Sequence, residues 1–471
     1  MAEEGVYQSL EGLLNAKSIA IIGASRDQNK LSGRLLSYII NHGYSGKIYP
    51  VNPKEVEIQG LQCYPSIEDV PGPVDLACLM VPAAAIPETL DRCGKCGAKA
   101  AIIGASGFAE IGEEGEKIQK GLVDIARRWE MRIAGPNSIG ICNFVNNIFA
   151  SFSMSLDFPK IVVGNISFVS QSGAMGGSML SRGWERGIGF SRFISSGNEA
   201  DVQTADYIRF LVKDPNTRVI ASFIEGVKNA DQFKLAAEEA LRAKKPIIAF
   251  KNGRTEVGHR AVKSHTGMLA GSYEVYKYFF QQYGVIHVEE ISELFNVAWA
   301  FATQPLPRGK RVGIVSTSGG GCSIVADECV RFGLEVPDFT PSTEEKLAKI
   351  IPSFGAFKNP MDTTAHILAQ PGMYRGALQT VLNDDNIDVV VMMLSTIAEP
   401  AATKMASDIV DVVKESDKPL VVTWTIAETL ASNGMKILRE NGIPMYERPE
   451  SAVYALSKMV WYNQKLKELE M

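Results

Sequence analysis

The sequence predicts an α/β protein built from three consecutive doubly wound parallel-sheet domains. Two observations carry that prediction. A short apolar, β-rich run leads into a Gly/Ser turn and a helix-like segment three times, and the openings lie roughly 145 residues apart, as three ordinary domains require. Behind each opening, further apolar runs alternate with helical stretches, the pattern of a parallel sheet whose strands are covered on both faces.

The openings are Lys17-Ser18-Ile19-Ala20-Ile21-Ile22-Gly23-Ala24-Ser25, Asn165-Ile166-Ser167-Phe168-Val169-Ser170-Gln171-Ser172-Gly173 and Arg311-Val312-Gly313-Ile314-Val315-Ser316-Thr317-Ser318-Gly319. Strand-like runs follow at residues 47–51, 75–80 and 100–103, then at 218–224 and 246–251, then at 388–394 and 419–424. Residues 303–310, with two prolines, read as a linker, and the Asn-, Phe- and Ser-rich residues 142–162 as the other junction. The expected domains are therefore 1–142, 143–303 and 304–471.

Composition excludes several classes. Hydrophobic content of 46% and charged content of 21% are those of an ordinary globular protein. A net charge of −5 without a basic block argues against nucleic acid as the partner. No run approaches the roughly 18 apolar residues that cross a bilayer. The opening residues are acidic and carry no apolar signal region, so a cytoplasmic location is expected. Seven scattered cysteines form no disulfide framework, and the single Cys93-Gly94-Lys95-Cys96 has neither a second pair nor a nearby histidine. It is expected on a helix rather than at a metal.

In the first domain, Gly23-Ala24-Ser25 follows a strand, but the Gly-x-Gly-x-x-Gly dinucleotide fingerprint is absent, since the next glycine is Gly33. Where a dinucleotide site wants an acid at the end of the second strand, the chain has Asn52-Pro53-Lys54. With Arg26 and Lys30 in the first loop, Lys54 suits a ligand bearing an extra phosphate, either NADP or coenzyme A. Ligands of open α/β sheets lie at the C-terminal strand ends. Val81-Pro82 and the turn from Gly104 through Ser106 to Glu110 are therefore expected to share that crevice.

In the second domain, Ser170-Gln171-Ser172-Gly173-Ala174 opens a helix, and a helix N-terminus is a ready anion site. The turn holding Gly197 and Asn198 is a second candidate for phosphate. The third strand ends at Glu225, and the fourth leads into Lys263-Ser264-His265-Thr266-Gly267. A right-handed crossover places Glu225 and the His265 loop on the same edge. A carboxylate beside an imidazole fixes its tautomer and raises its basicity, as attack on phosphorus requires. The nearby Gly253-Arg254-Thr255-Glu256-Val257-Gly258-His259-Arg260 is not a Walker loop, because His259 and Arg260 replace the lysine and hydroxyl residue.

These segments together resemble the ADP-forming acyl-CoA synthetases, relatives of succinyl-CoA synthetase. The resemblance rests on Ser264-His265-Thr266-Gly267-x-Leu269-Ala270-Gly271, Gly23-Ala24-Ser25, Gly135-Pro136-Asn137-Ser138-x-Gly140, Ser170-Gln171-Ser172-Gly173, Ser196-Gly197-Asn198-Glu199 and Asn359-Pro360-Met361-Asp362. Met268 departs from a serine common in the family, and Gly321-Cys322 from a Gly-Pro-Gly-like turn. The resemblance implies a Rossmann-like CoA-binding domain followed by two flavodoxin-like domains of the succinyl-CoA-synthetase type. It implies coenzyme A along Gly23, Ser25, Lys54, Pro82 and Ser106, with Asn137 at the same edge. His265 would be the phosphorylated residue and Glu225 its partner.

No segment after residue 310 resembles the family's ATP-grasp module. The chain thus resembles the α subunit of a split enzyme. Mg2+ and ADP or ATP would sit on a separate ATP-grasp β subunit, in an α2β2 assembly acting on an acyl-CoA or carboxylic acid. The alternative reading is a CoA-binding regulatory or scaffold protein with reduced catalysis.

Overall fold

The run Ser18–Ile22 is apolar at every position after its first, and as strand β1 it is buried along its whole length. A computed structural model describes residues 3–266, 272–353, 355–364 and 372–470, the side chains of 3–6 and 263–266 lying outside that description. After β1 come β2 (Lys47–Val51), a small hairpin of β3 (Glu57–Ile58) and β4 (Leu61–Gln62), then β5 (Leu76–Leu79), β6 (Ala100–Ile103) and β7 (Arg132–Ala134). The first sheet has the order β2-β1-β5-β6-β7, parallel throughout.

Strand alternation explains its two covers. Ile19 and Ile21 pack with Leu10, Leu13, Leu35 and Ile39 of helices Glu3–Leu14 and Leu31–Asn41. Ala20 and Ile22 pack with Leu90 and Leu122 of helices Ile86–Lys95 and Glu113–Arg128. Cys93 is buried on the third of these helices and Cys96 caps its end.

The second sheet contains β8 (Gly140–Asn143), β9 (Ile148–Ser151), β10 (Val163–Ser170), β11 (Phe190–Ser195), β12 (Val219–Ile224), β13 (Ile247–Lys251) and β14 (Ile286–Val288), in the order β14-β13-β12-β10-β11-β8-β9. Strands β10 to β14 are parallel. The sheet is mixed rather than wholly parallel, because β8 and β9 form an antiparallel hairpin on the β11 edge. Part of the expected junction is thus sheet. Its cue was Asn146-Asn147, where Asn147 takes a positive φ of 53° that closes the hairpin turn.

The first two sheets lie in one compact unit, Met1–Glu289, and a second unit spans Glu290–Met471. A single apolar cluster runs through the first unit from Leu10 and Ile19 to Val169, Phe210 and Ile220. Tyr7 of the first helix stacks on Phe210 at 4.6 Å.

The second unit holds β15 (Val312–Ser316), β16 (Met361–Asp362), β17 (Val389–Leu394), β18 (Leu420–Trp424) and β19 (Met445–Tyr446), parallel in the order β16-β15-β17-β18-β19. Helix Ile291–Thr303 lies in this unit. Its apolar residues face in all directions, so it must be covered all round, and it packs against the long C-terminal helix Pro449–Glu470. Asn359 ties this sheet from inside: its amide oxygen accepts the Ile314 N–H at 2.9 Å and its amide nitrogen donates to the carbonyls of Val312 and Pro337. Among the described residues no helix is long and apolar enough to cross a membrane.

Candidate functional site

In both sheets of the first unit the chain turns back at the same place. From β1 it steps outward to β2, then returns to β5 on the other side of β1, and from β10 it steps to β11 and returns to β12. The C-terminal ends of β1 and β5, and of β10 and β12, are therefore the two switch points where a crevice opens.

At the first switch point Gly23 has a positive φ of 87°, and a Cβ there would stand 2.7 Å from the Met80 carbonyl oxygen. Only glycine fits this turn. Ala24 is buried and the Ser25 hydroxyl accepts the Asp27 N–H at 3.1 Å. Asn52 does not face outward as a ribose ligand would: its amide nitrogen donates to the Ala24 carbonyl at 2.8 Å and its oxygen accepts the Lys54 N–H at 2.9 Å. It fastens the first and second strand ends together. Arg26 is held by Glu55 at 2.7 Å and by the Glu57 carbonyl at 3.1 Å. Lys30, Pro53, Lys54, Pro82 and Ser106 are exposed and Val81 is half-buried. Among the described residues neither Lys30 nor Lys54 makes an ion pair.

Glu110 is turned away from any anionic ligand. Its carboxylate accepts the Gly107 N–H at 2.6 Å and the Asn198 amide at 2.5 Å. Burial works against its ionisation, but these two donors hold the carboxyl below its ordinary range. Asn198 also donates to Gln119 at 3.1 Å and accepts from Asn137 at 3.4 Å. Asn137, after the cis Gly135-Pro136 bond, has φ 59°, and Gly197 lies so close that a Cβ would meet the Pro136 carbonyl at 2.3 Å. The two glycine-and-asparagine turns of the sequence are thus one interlocked structure joining the first sheet to the second.

The second switch point is organised by Gln171. Its amide oxygen accepts the backbone N–H of Glu225 at 2.5 Å and of Gly226 at 3.0 Å. Its amide nitrogen donates to the Gly226 carbonyl at 2.7 Å and to Glu199 at 3.0 Å. Gln171 and Asn198, both expected phosphate ligands, therefore have their side chains engaged within the chain. Ser170 is buried and its hydroxyl donates to the Ser172 carbonyl at 2.7 Å. Helix Gly173–Glu185 begins here with Ser172 at its N-cap position, making no side-chain cap, and with Ala174 exposed in the first turn. A Cβ at Gly173 would meet Ile139 at 2.6 Å, so the helix start lies close against the neighbouring loop.

Glu225 is buried immediately after β12. Next to it, β13 ends at Lys251, whose register partner on β12 is Ile224. From β13 the chain passes Gly253, φ 83°, into helix Glu256–Thr266. His265 lies in the last turn of that helix, and the helix runs beside the turn Ala109–Ile111 of the first sheet. The His265 side chain and residues 267–271 lie outside the described residues.

Sequence reasoning missed two buried charged groups here, Glu199 and Lys251, and a further cation, Lys228, beside Glu199. Glu199 accepts from Thr204 at 2.5 Å, Ser196 at 2.8 Å and Gln171, and burial raises its carboxyl above the usual range despite them. Lys228 donates to the carbonyls of Asn198 at 2.5 Å and Glu199 at 3.1 Å, its pKa lowered by burial against the pull of Glu199. Lys251 lies over the Tyr276 ring at 4.8 Å. The signal for Lys251 was available: a cation closing an otherwise apolar parallel strand has to be held there by something. Among the described residues no group of three or more His, Cys, Asp or Glu is placed to hold a metal.

Two strand-end switch points in one unit, one with a glycine turn beside the exposed Lys30 and Lys54 and one with a helix start beside buried Glu225, are the framework of a protein whose three domains are of the CoA-ligase class. Residues 17–143 match the CoA binding domain, residues 163–301 the succinyl-CoA ligase like flavodoxin domain, and residues 312–463 the ligase-CoA domain. The chain is 40% identical over 454 residues to acetate–CoA ligase (ADP-forming) II subunit alpha of Pyrococcus furiosus, covering 95% of this chain and 97% of that one. It is 39% identical to the corresponding I subunit alpha of the same organism, over 98% of this chain and all of the relative. The solved acetyl-coenzyme A synthetase 1 of Ca. Korarchaeum cryptofilum, in complex with phosphate and ADP, superposes with a TM-score of 0.91 at 33% identity over 98% of each chain. The chain belongs to the ADP-forming acyl-CoA synthetase family, and within it to the α-subunit type.

Proposed function

We propose that this chain is the α subunit that carries the acyl and phosphoryl chemistry of an ADP-forming acyl-CoA synthetase, with acetate or a similar small acid as substrate. Coenzyme A lies along the C-terminal edge of the first sheet, its backbone turn at Gly23-Ala24-Ser25 and its 3′-phosphate near Lys54 and Lys30. Phosphate attacks the thioester carbonyl, giving acyl phosphate as the C–S bond breaks and the thiolate leaves as CoA. A ring nitrogen of His265 then attacks phosphorus, and the carboxylate departs as the acid. The phosphoryl group passes to ADP on an ATP-grasp β subunit, where Mg2+ is bound, in an α2β2 enzyme.

One observation carries this reading: the helix bearing His265 follows β13, the strand paired with the one that ends before Glu225, and runs alongside the Glu110 turn of the CoA edge. Phosphoryl transfer is mostly positioning and charge stabilisation, which suits helix N-terminal amides and a few cations. The relatives support a partner module. Some are subunits named alpha, whereas the acetate–CoA ligase of Methanocaldococcus jannaschii is longer, and the chain covers 63% of it.

The test is chemical. Incubation with acetyl-CoA and radiolabelled phosphate should place an acid-labile, alkali-stable label on the chain. Undiminished labelling of His265→Ala would remove the assignment.

A further inference from the structure

Lys251 is among the largest fully buried side chains of the protein, with 2% relative exposure. Taking an ammonium out of water is costly. A buried lysine kept at a strand end is therefore a poor choice for stability alone. Its surroundings suit a charge. The ammonium donates to the Asn252 carbonyl and stands over the Tyr276 ring at 4.8 Å.

The same surroundings lead to Glu225. Lys251 is in register with Ile224, so the next residue on the neighbouring strand end is Glu225, and the two side chains interact electrostatically. The Tyr276 hydroxyl accepts the Val227 N–H at 3.0 Å, so the aromatic platform under the ammonium is tied to the same short segment. Gln171 fixes that segment from the other side through the N–H groups of Glu225 and Gly226. Glu225 is thus clamped through its main chain by Gln171, with the buried Lys251 cation at the end of the adjoining strand.

We propose that Lys251 is a positioning residue of the phosphoryl-transfer site, whose ammonium holds Glu225 from behind and offsets the negative charge that accumulates when a phosphoryl group arrives beside it. The inference rests on the phosphohistidine reading. A carboxylate and a phosphoryl group brought together repel, and a fixed cation that needs no rearrangement relieves this most in a dry site.

The test compares Lys251→Met, Lys251→Gln and Lys251→Arg in the full chain assembled with its partner subunit, reading the initial rate of labelling from acetyl-CoA and radiolabelled phosphate. Both neutral variants should label on the order of 10- to 100-fold more slowly. Lys251→Arg should recover most of the rate. The acetyl-CoA concentration for half-maximal rate should be unchanged in all three. Wild-type labelling rates in the neutral variants, or an arginine variant as slow as them, would overturn the inference. A wild-type protein that takes no label fails the phosphohistidine reading itself, and this inference with it.

Discussion

Gln171 holds Glu225 by its main chain, accepting the Glu225 N–H at 2.5 Å on the same amide oxygen that takes the Gly226 N–H at 3.0 Å. Replacing Gln171 with Leu leaves two buried N–H groups without acceptors. Each costs about 1–3 kcal/mol when unmatched. Urea unfolding should show that loss, and phosphate labelling should slow while CoA binding is retained. Unchanged stability in Gln171→Leu would mean the clip is dispensable.

Gly23→Ala tests the CoA edge. The positive φ and the 2.7 Å approach to the Met80 carbonyl make any Cβ a steric conflict with backbone. The turn should be displaced at a cost of roughly 1–3 kcal/mol, and calorimetric titration should show CoA binding weakened or lost.

Lys54→Ala separates recognition of the 3′-phosphate from recognition of the rest of the ligand. Lys54 is exposed, so a loss of only about 0.5–1 kcal/mol, a few-fold in affinity, is expected for CoA. Dephospho-CoA should bind the variant as well as the wild type. An equal loss for both ligands would place the phosphate elsewhere.

Arg192 and Asp214 form a buried pair at 2.8 Å, and Arg192 also donates to the Leu14 carbonyl at 2.8 Å and to Asn15 at 2.9 Å. Burial opposes ionisation of Asp214 most strongly, but the Arg192 hydrogen bond and charge, with the Thr217 hydroxyl, hold its carboxyl below the ordinary range. A depressed carboxylate stabilises the fold above its unfolded pKa of about 3.9 and loses that contribution as pH falls through the folded value. Arg192→Met should therefore cost roughly 3–5 kcal/mol near neutrality. The gap from wild type in urea midpoint should narrow below about pH 4.

Lys251 gives the opposite window. Burial pushes its ammonium down to about 8, with Glu225 pulling the other way. The unfolded lysine titrates near 10.4, so between about pH 8 and 10.4 the unfolded chain binds more protons and the fold gains stability as pH rises. Wild-type stability should rise relative to Lys251→Met across that interval. The labelling rate should fall over the same range as the cation beside Glu225 and Tyr276 is lost, and a rate independent of pH there would contradict its role.

The sequence by itself determined the three β-turn-α openings, the glycine at position 23 and the strand ends that carry Ser172-Gly173, Glu225 and the His265 segment. These are local matters: apolar periodicity, a turn that only glycine can make, and the rule that ligands of open α/β sheets gather at C-terminal strand ends. The ends of β12 and β13, which carry Glu225 and lead into helix Glu256–Thr266, were legible as neighbours because consecutive parallel strands usually lie side by side.

Only the tertiary structure decided which polar groups face a ligand and which face the chain. An amide such as Gln171 or Asn198 can serve phosphate or backbone equally well, and its use depends on the strand that lies beside it. The adjacency of β10 and β12 turns Gln171 inward, and the packing of the two sheets into one unit turns Asn198 and Glu110 toward each other. Burial of Lys251 and Glu199 likewise follows from neighbours distant in sequence, whose desolvation no local pattern records. The edge hairpin β8–β9 and the placement of helix Ile291–Thr303 were decided in the same way, by surfaces that needed covering.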